Sequence, residues 1–347
     1  MKKKYFIFLL SISLFACRSK NIVTMSVIEP APVTMPSSIK TIGVINRSIA
    51  TDESKKMNEA DKILSLEGKN LDKEGAEKCV KALLYELQKH TRFTQVKFLD
   101  NVFSKSSGLG VLPAPLSWDA VEKICTENKI DCLYSLELYD TDSKVSYSVV
   151  PVTLKGPLGV DIPAVEHVAS ITTHIKVGWR IYDAINKNIL DEFPGSASIT
   201  SAGRGINPMV ALQAVMGRKE AVLDRSNSMG ESYGQSILPY QTRVSRDYYV
   251  RGTDNFKIAR RKAQTGNWNE AGELWKRETT HTKRKVAGRA HYNMAIISEI
   301  NGDIDGAIQW AEKAYENYKN KLALRYINIL KYRKSQNRLL NQQQETQ

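Results

Sequence analysis

Cysteine is scarce in this 347-residue chain, with four residues at positions 17, 79, 125 and 132. No two of them form Cys-x-x-Cys or the paired Cys/His spacing of a zinc site. That excludes a structural zinc and a thioredoxin-type redox centre, and neither a metal nor another cofactor is expected. The three later cysteines lie in apolar stretches and read as buried thiols. Histidine is equally sparse, with five residues at 90, 167, 174, 281 and 291. None is spaced for a nucleophilic triad, and His167 and His174 fall on opposite faces of a continuous strand. Phosphate-binding loops are missing too. Gly108-Leu109-Gly110 and Gly203-Arg204-Gly205 lack a strand-to-helix setting and read as loop glycines. Beyond the first sixteen residues no run approaches the about 20 apolar residues of a spanning helix, so the rest is expected to fold in water.

What the chain does have begins at residue 1. Lys2, Lys3 and Lys4 precede an apolar run from Tyr5 to Phe15, the layout of a secretory signal. Leu14-Phe15-Ala16-Cys17 then resembles a lipobox, with Leu three residues before the thiol, a small residue just before it, and Phe15 as the one departure. Cleavage after residue 16 and lipidation of Cys17 are expected, anchoring the chain to a membrane through two or three acyl chains. Residues 17–38 carry Pro30, Pro32 and Pro36 among small and polar side chains and read as a tether. The basic Arg18-Ser19-Lys20 favours the periplasmic side of a bacterial envelope, here the outer membrane.

Charge is unevenly placed. Residues 18–250 hold 28 basic and 27 acidic side chains, whereas residues 251–347 hold 19 and 10. A basic C-terminal region fits anionic lipid, cell-wall polymer or an acidic protein, or a solvated helical surface. Export makes nucleic acid an unexpected partner.

Residues 39–250 follow an α/β pattern. Thr41–Asn46 is β-rich, and Ala76, Val80, Leu83, Leu84 and Leu87 recur at helical spacing. Gln95–Leu99 is a second strand. Ser117 is a helix N-cap, followed by Val121, Ile124 and Cys125 on one face. Leu133–Tyr139 alternates, as does His174–Tyr182 with Ile175, Val177, Trp179 and Ile181 on one side. Asp183–Asn188 turns into Ile189–Phe193. The expected class is α+β, a mixed sheet with helices on one face, followed by an all-α region.

TIGVIN at 41–46, the step from Phe93 to Leu99, IDCLYSLEL at 130–138 and VGWRIYDAINKNILDEF at 177–193 resemble envelope lipoprotein domains. The likeness is to the domain of the curli secretion subunit CsgG and to the amino-terminal domain of TolB. The whole layout, with LPYQTRVSRDYYV at 238–250, also resembles lipoproteins of Bacteroides-type bacteria that pair such a domain with helical repeats, a family of unknown function. Val149–Val165 (VVPVTLKGPLGVDIPAV) stands apart as an apolar, Pro/Gly-rich insertion between two strands. It is long for a hairpin loop; a loop packed on its own domain is the plainer account, and Leu154 and Leu158 in it are a candidate contact with a partner or membrane. In relatives of the curli subunit, hairpins of the domain enter the membrane.

Residues 251–335 repeat. Gly266, Ala271 and Trp275 recur as Gly302, Ala307 and Ala311, and Ala259 and Ala295 precede the two glycines equally. The 36-residue offset is close to the tetratricopeptide period, with Leu322, Ile327 and Leu330 on a capping helix and residues 336–347 expected as a disordered tail. Resemblance to that repeat implies a groove for protein, to which Trp268, Trp275, Arg289 and Tyr292 are assigned; a structural helical hairpin is the plainer account.

One catalytic motif remains. Gly230-Glu231-Ser232-Tyr233-Gly234 matches the nucleophile elbow, which needs a buried strand before the serine. The preceding Arg225-Ser226-Asn227-Ser228-Met229 cannot be one, and Val222, Met229, Tyr233 and Ile237 trace a helical face. The expectation is a lipid-anchored adaptor that holds envelope proteins without catalysis, self-association being possible. The alternatives are a subunit of an outer-membrane secretion assembly and a serine hydrolase using Ser232.

Overall fold

A computed structural model describes residues 19–48, 65–100, 111–156, 159–215 and 218–345. They form two compact units. One joins the segment ending at Pro30 to Pro239–Gln342; the other is Ala31–Leu238 with the chain end from Gln343.

The larger unit is built on a five-stranded sheet. Its strands are β2 (Thr41–Asn46), β3 (Gln95–Phe98), β4 (Cys132–Lys155), β5 (Asp161–Asp183) and β6 (Asn188–Gly205), in the order β3-β2-β4-β5-β6. β2 is parallel to both β3 and β4, and the rest are antiparallel. The α+β class and mixed sheet expected from the sequence are what the chain adopts. The helices, however, divide between the two faces. α1 (Ser65–Gln88) and α4 (Arg218–Gly234) pack on Ile42, Val44, Tyr134, Leu136, Val177, Trp179 and Ile181. α2 (Trp118–Asn128) packs instead with Ile45, Leu133 and Tyr182, residues of opposite parity. The cause is topological. The chain steps from β2 outward to β3 through α1, then back past β2 to β4 through α2, and right-handed crossovers in opposite directions lie on opposite faces.

Local chemistry sets the ends of these elements. Ser117 is extended (ψ 150°) and its hydroxyl oxygen accepts from the Ala120 N–H at 3.4 Å, the capping expected of it. The β5–β6 turn is held by Asp183, whose carboxylate accepts from the N–H groups of Ile185 and Asn186 at 3.0 and 3.1 Å. Trp179 in the core and the exposed Phe193 both stack on Tyr233, with ring centroids 5.2 and 5.5 Å from it. α4 approaches α1 closely because Gly230 and Gly234 have no Cβ. One on Gly230 would overlap the Cys79 carbonyl oxygen, and one on Gly234 would lie 2.6 Å from the Glu86 Cβ.

The smaller unit contains a two-stranded antiparallel ribbon, β1 (Lys20–Glu29) with β7 (Tyr240–Tyr249). Its helices are α5 (Asp254–Gln264), α6 (Trp268–Arg277), α7 (Arg284–Ile300), α8 (Ile304–Glu316) and α9 (Lys321–Glu345). α3 (Pro208–Gln213) belongs to the larger unit. Three sequence expectations are corrected here. Residues 20–29 of the expected tether are a strand, since Val23 and Val27 alternate with exposed Ile22 and Ile28, a period-2 pattern hidden beside the proline-rich stretch after it. The stretch 239–250, assigned to the α/β domain, is its ribbon partner, while the elements from Asp254 onward are helices, as expected of residues 251–335. The expected disordered tail from 336 continues α9 to Glu345, since Leu and Gln favour helix.

The 36-residue repeat corresponds to two helix hairpins, α5–α6 and α7–α8. Gly266 and Gly302 occupy the turns at φ +83° and +81°, the left-handed region open to glycine. Ala259, Ala271, Ala295, Ala307, Ala311 and Ala314 are fully buried, letting the helices approach closely.

Candidate functional site

The apolar insertion at 149–165 is a continuation of two strands rather than a loop. β4 is 24 residues and β5 is 23 residues long, and their pairing runs without a gap from Leu138 opposite Gly178 to Lys155 opposite Asp161. The turn is tight, with the Gly156 N–H bonded to the Val160 carbonyl at 2.8 Å and Gly159 at φ +76°. Pro151 and Pro163 are tolerated because each strand has a neighbour on one side only there, where a missing N–H need cost no ladder bond. Leu158 lies outside the described residues.

With β6, this hairpin makes a three-stranded arm. β2 ends its pairing with β4 at Leu136. Among the described residues no strand lies beside β4 from Asp142 to Lys155 on the side away from β5, a length of roughly 40 Å at about 3.3 Å per residue. β6 is the opposite edge of the sheet along its 18 residues. α3 covers the base of the arm through Ala169, Ile171, Ala211 and Val215. Gly203 and Gly205, expected in a loop, are in β6, where a Cβ on Gly205 would lie 2.7 Å from the Ala211 nitrogen. Toward the tip both faces are apolar and open. Val150, Leu154 and Ile162 lie on one, Val149 and Val165 on the other, and Leu154, Ile162 and Val165 are 55%, 46% and 57% exposed.

The residues assigned to a repeat groove fall elsewhere. Trp275 is fully buried in the core of the smaller unit, against Tyr248. Trp268 is half-buried and meets Tyr248 edge-on at 5.3 Å. Tyr292 is buried between Tyr249 and Tyr326. Arg289 donates to the Arg251 carbonyl at 2.7 Å and lies over the Tyr249 ring. The ribbon fills the expected groove: Asn293, fully buried on α7, accepts from the Tyr249 N–H and donates to its carbonyl, both at 2.7 Å. No local period in the sequence reports this, because β7 reaches α7 through Asn293, 44 residues after Tyr249.

Two buried charge clusters escaped sequence reasoning. On the α2 face of the larger unit's sheet, Glu137 is fully buried, paired with Arg47 and accepting from the Tyr182 hydroxyl at 2.8 Å, with Arg180 at 4.0 Å. Burial raises its carboxyl above the ordinary range even though the arginines oppose this. Arg180 also donates to Glu192 at 2.6 Å. Among the described residues two cations meet two carboxylates, and the cluster reads as a strand-locking ion network. In the smaller unit, fully buried Glu299 accepts two bonds at 2.9 Å from Arg246, one at 2.6 Å from Arg333, and one from Tyr326. Burial opposes its ionisation, but these donors outweigh it and hold the carboxyl below its usual range.

The remaining candidates are quickly placed. Ser232 is within α4 and donates to the Ser228 carbonyl at 2.8 Å, a helical position without the strained turn of an elbow. Cys17 lies outside the described residues. Cys79, Cys125 and Cys132 are free and buried. Among the described residues no cluster of three His, Cys, Asp or Glu could hold a metal, and no helix is long and apolar enough to cross a membrane.

A mixed sheet extended into an open-edged arm, together with a ribbon-and-helix unit, defines an α+β protein. The chain belongs to the family of the domain of unknown function DUF8603, whose model matches residues 39–249. A second domain of unknown function, DUF6340, matches residues 257–332. No curated protein matches. Among solved structures, the chain is similar to the PelC dodecamer from Paraburkholderia phytofirmans, at 8% identity over 63% of this chain and 98% of that one, with a TM-score of 0.25. It is also similar to a homologue of the neuraminyllactose-binding hemagglutinin from Helicobacter pylori, at 11% identity over 58% and 94%, with a TM-score of 0.23.

Proposed function

We propose that this chain is a lipid-anchored scaffold of the bacterial envelope, held to the membrane through Cys17 and gathering protein partners through the β4–β5–β6 arm. The observation that carries this reading is the arm itself. Long flat sheet edges with open apolar faces template pairing with other chains, and proteins that do not use them blunt them with charge, bulges or cover. Here the outer part of β4 carries only Asp142, Lys144 and Lys155 as charges, against Val145, Tyr147, Val149, Val150, Val152 and Leu154. The basic helical unit remains a second surface for envelope partners. Ser232 contributes no nucleophile to this reading, and no catalysis is assigned.

A second reading, a subunit of an oligomeric outer-membrane assembly, is favoured by one feature. The arm has free edges on opposite sides, so copies joined edge to edge form a heterologous contact of the kind that closes into rings. The test is photo-crosslinking in living cells from a probe at Leu154, with one at exposed Tyr332 as reference, followed by mass spectrometry. Repeated capture of one envelope protein at Leu154 supports the scaffold, and capture of the chain itself with ring-shaped particles in detergent supports the assembly subunit. No capture at Leu154 would remove the arm as a binding surface.

A further inference from the structure

Between β7, α7 and α9 of the smaller unit lies a cleft of about 340 Å³, lined by Ile22, Ser245, Arg246, Asp247, Tyr292, Leu322, Arg325, Tyr326 and Ile329. Three of its properties point the same way. The first is an unpaired strand edge. The Val250 N–H bonds to the Ser19 carbonyl across the ribbon, whereas both main-chain groups of Tyr249 turn outward to Asn293. Main-chain groups alternate in direction along an antiparallel strand. Asp247 and Ser245 therefore present theirs on the outward edge, where the Ser245 carbonyl also accepts from the Arg246 guanidinium at 3.2 Å, alongside the position that a side-chain amide already reads as a strand would.

The second property is charge. Asp247 is neutralised by Lys20 at 2.6 Å and Glu299 by Arg246 and Arg333. Arg325 is exposed, and no acidic side chain among the described residues pairs with it. Four cations therefore face two carboxylates. The third is an apolar wall formed by Ile22, Leu322 and Ile329, beside the ring of Tyr292.

We infer that this cleft binds the C-terminal end of an extended protein segment. The segment adds a strand to the β7 edge at Ser245–Asp247, places an apolar last side chain against Leu322 and Ile329, and gives its terminal carboxylate to Arg325. Main-chain pairing supplies affinity, and the guanidinium and apolar wall supply the end-specific selection. A free fatty acid shares the carboxylate and apolar chemistry but has no peptide groups for the strand edge. The site lies in the other unit from the arm and does not depend on the arm's being an assembly surface.

The test is fluorescence anisotropy on the full chain in detergent, with labelled decapeptides of random sequence ending in Leu. They are compared with the same peptides as C-terminal amides and with decanoate. The expected result is saturable binding that weakens at least tenfold on amidation and at least tenfold in Arg325→Ala, the loss of one charge-assisted bond. N-methylation scanned along the last four peptide bonds is expected to weaken binding at alternate positions only. Binding that is absent up to about 1 mM, indifferent to amidation, unchanged in Arg325→Ala or unaffected by every N-methyl group would overturn the inference. So would decanoate binding as tightly as the peptides.

Discussion

Glu299 offers the sharpest test of how the helical unit is held together. Its carboxylate is excluded from water and accepts from two guanidinium groups and the Tyr326 hydroxyl. Replacement by glutamine preserves shape but leaves two part-buried arginines without their counter-charge. Breaking a buried pair in this way costs about 3–5 kcal/mol; Gln keeps one acceptor oxygen, so about 3 kcal/mol is expected at neutral pH. The sign of the pH dependence follows from the depressed carboxyl of the folded state. A group of this kind contributes its full stability above the unfolded-state value of about 4.3 and loses it as pH falls through the lower folded-state value. The gap between wild type and Glu299→Gln is therefore widest near neutral pH and narrows below the ordinary carboxylate range. Urea unfolding can be followed by far-UV circular dichroism together with tryptophan fluorescence, Trp268, Trp275 and Trp310 reporting on the helical unit. A loss below about 1 kcal/mol, or a gap that does not narrow on acidification, would refute the reasoning. Replacing Glu299, Arg246 and Arg333 together by Met and Leu is expected to restore most of the loss, because no unpaired charge remains.

Other substitutions test other parts of the fold. Trp275→Ala should cost about 3–5 kcal/mol in a urea titration, as for a large core side chain; a change within about 0.5 kcal/mol would return Trp275 to the surface. Gly230→Ala forces a Cβ onto the Cys79 carbonyl and is expected to lose about 1–3 kcal/mol, read as a lowered urea midpoint, whereas a neutral result would mean that α1 and α4 do not meet there. In Val150→Lys combined with Ile162→Lys, stability should stay within about 0.5 kcal/mol while crosslinking from the Leu154 probe is lost. Burial pushes the Cys79 and Cys125 thiols up to about 12, so maleimide labelling at mildly alkaline pH should be negligible in native protein and complete in urea. Rapid labelling of native protein would contradict their burial.

The local character of most elements was legible in the chain. Alternation at His174–Tyr182, helical spacing from Ala76 to Leu87, the Ser117 cap and the paired glycines at 266 and 302 each report a backbone requirement that neighbouring residues satisfy alone. Where local signals misled, the deciding partner was distant. Val149–Val165 has the composition of a loop, yet Val149–Lys155 and Asp161–Val165 pair in register because Pro151 and Pro163 each have an open side. Residues 20–29 alternate correctly but need Tyr240–Tyr249, more than two hundred residues later, to become a strand. Trp275 and Tyr292 have the composition of a binding groove, but the ribbon occupies that face and turns them into core.

The candidate sites divide in the same way. Sequence by itself determined the lipobox-like start, the excess of basic charge after residue 250, the α+β class and the helical repeat, since each depends on residue type and spacing along one stretch. Tertiary structure alone decided which sheet edges stay open, that α2 crosses to the other face, and that Glu299 gathers Arg246, Tyr326 and Arg333 from two other elements. Those outcomes are fixed by strand order and crossover handedness, which couple residues too far apart for any local period to record.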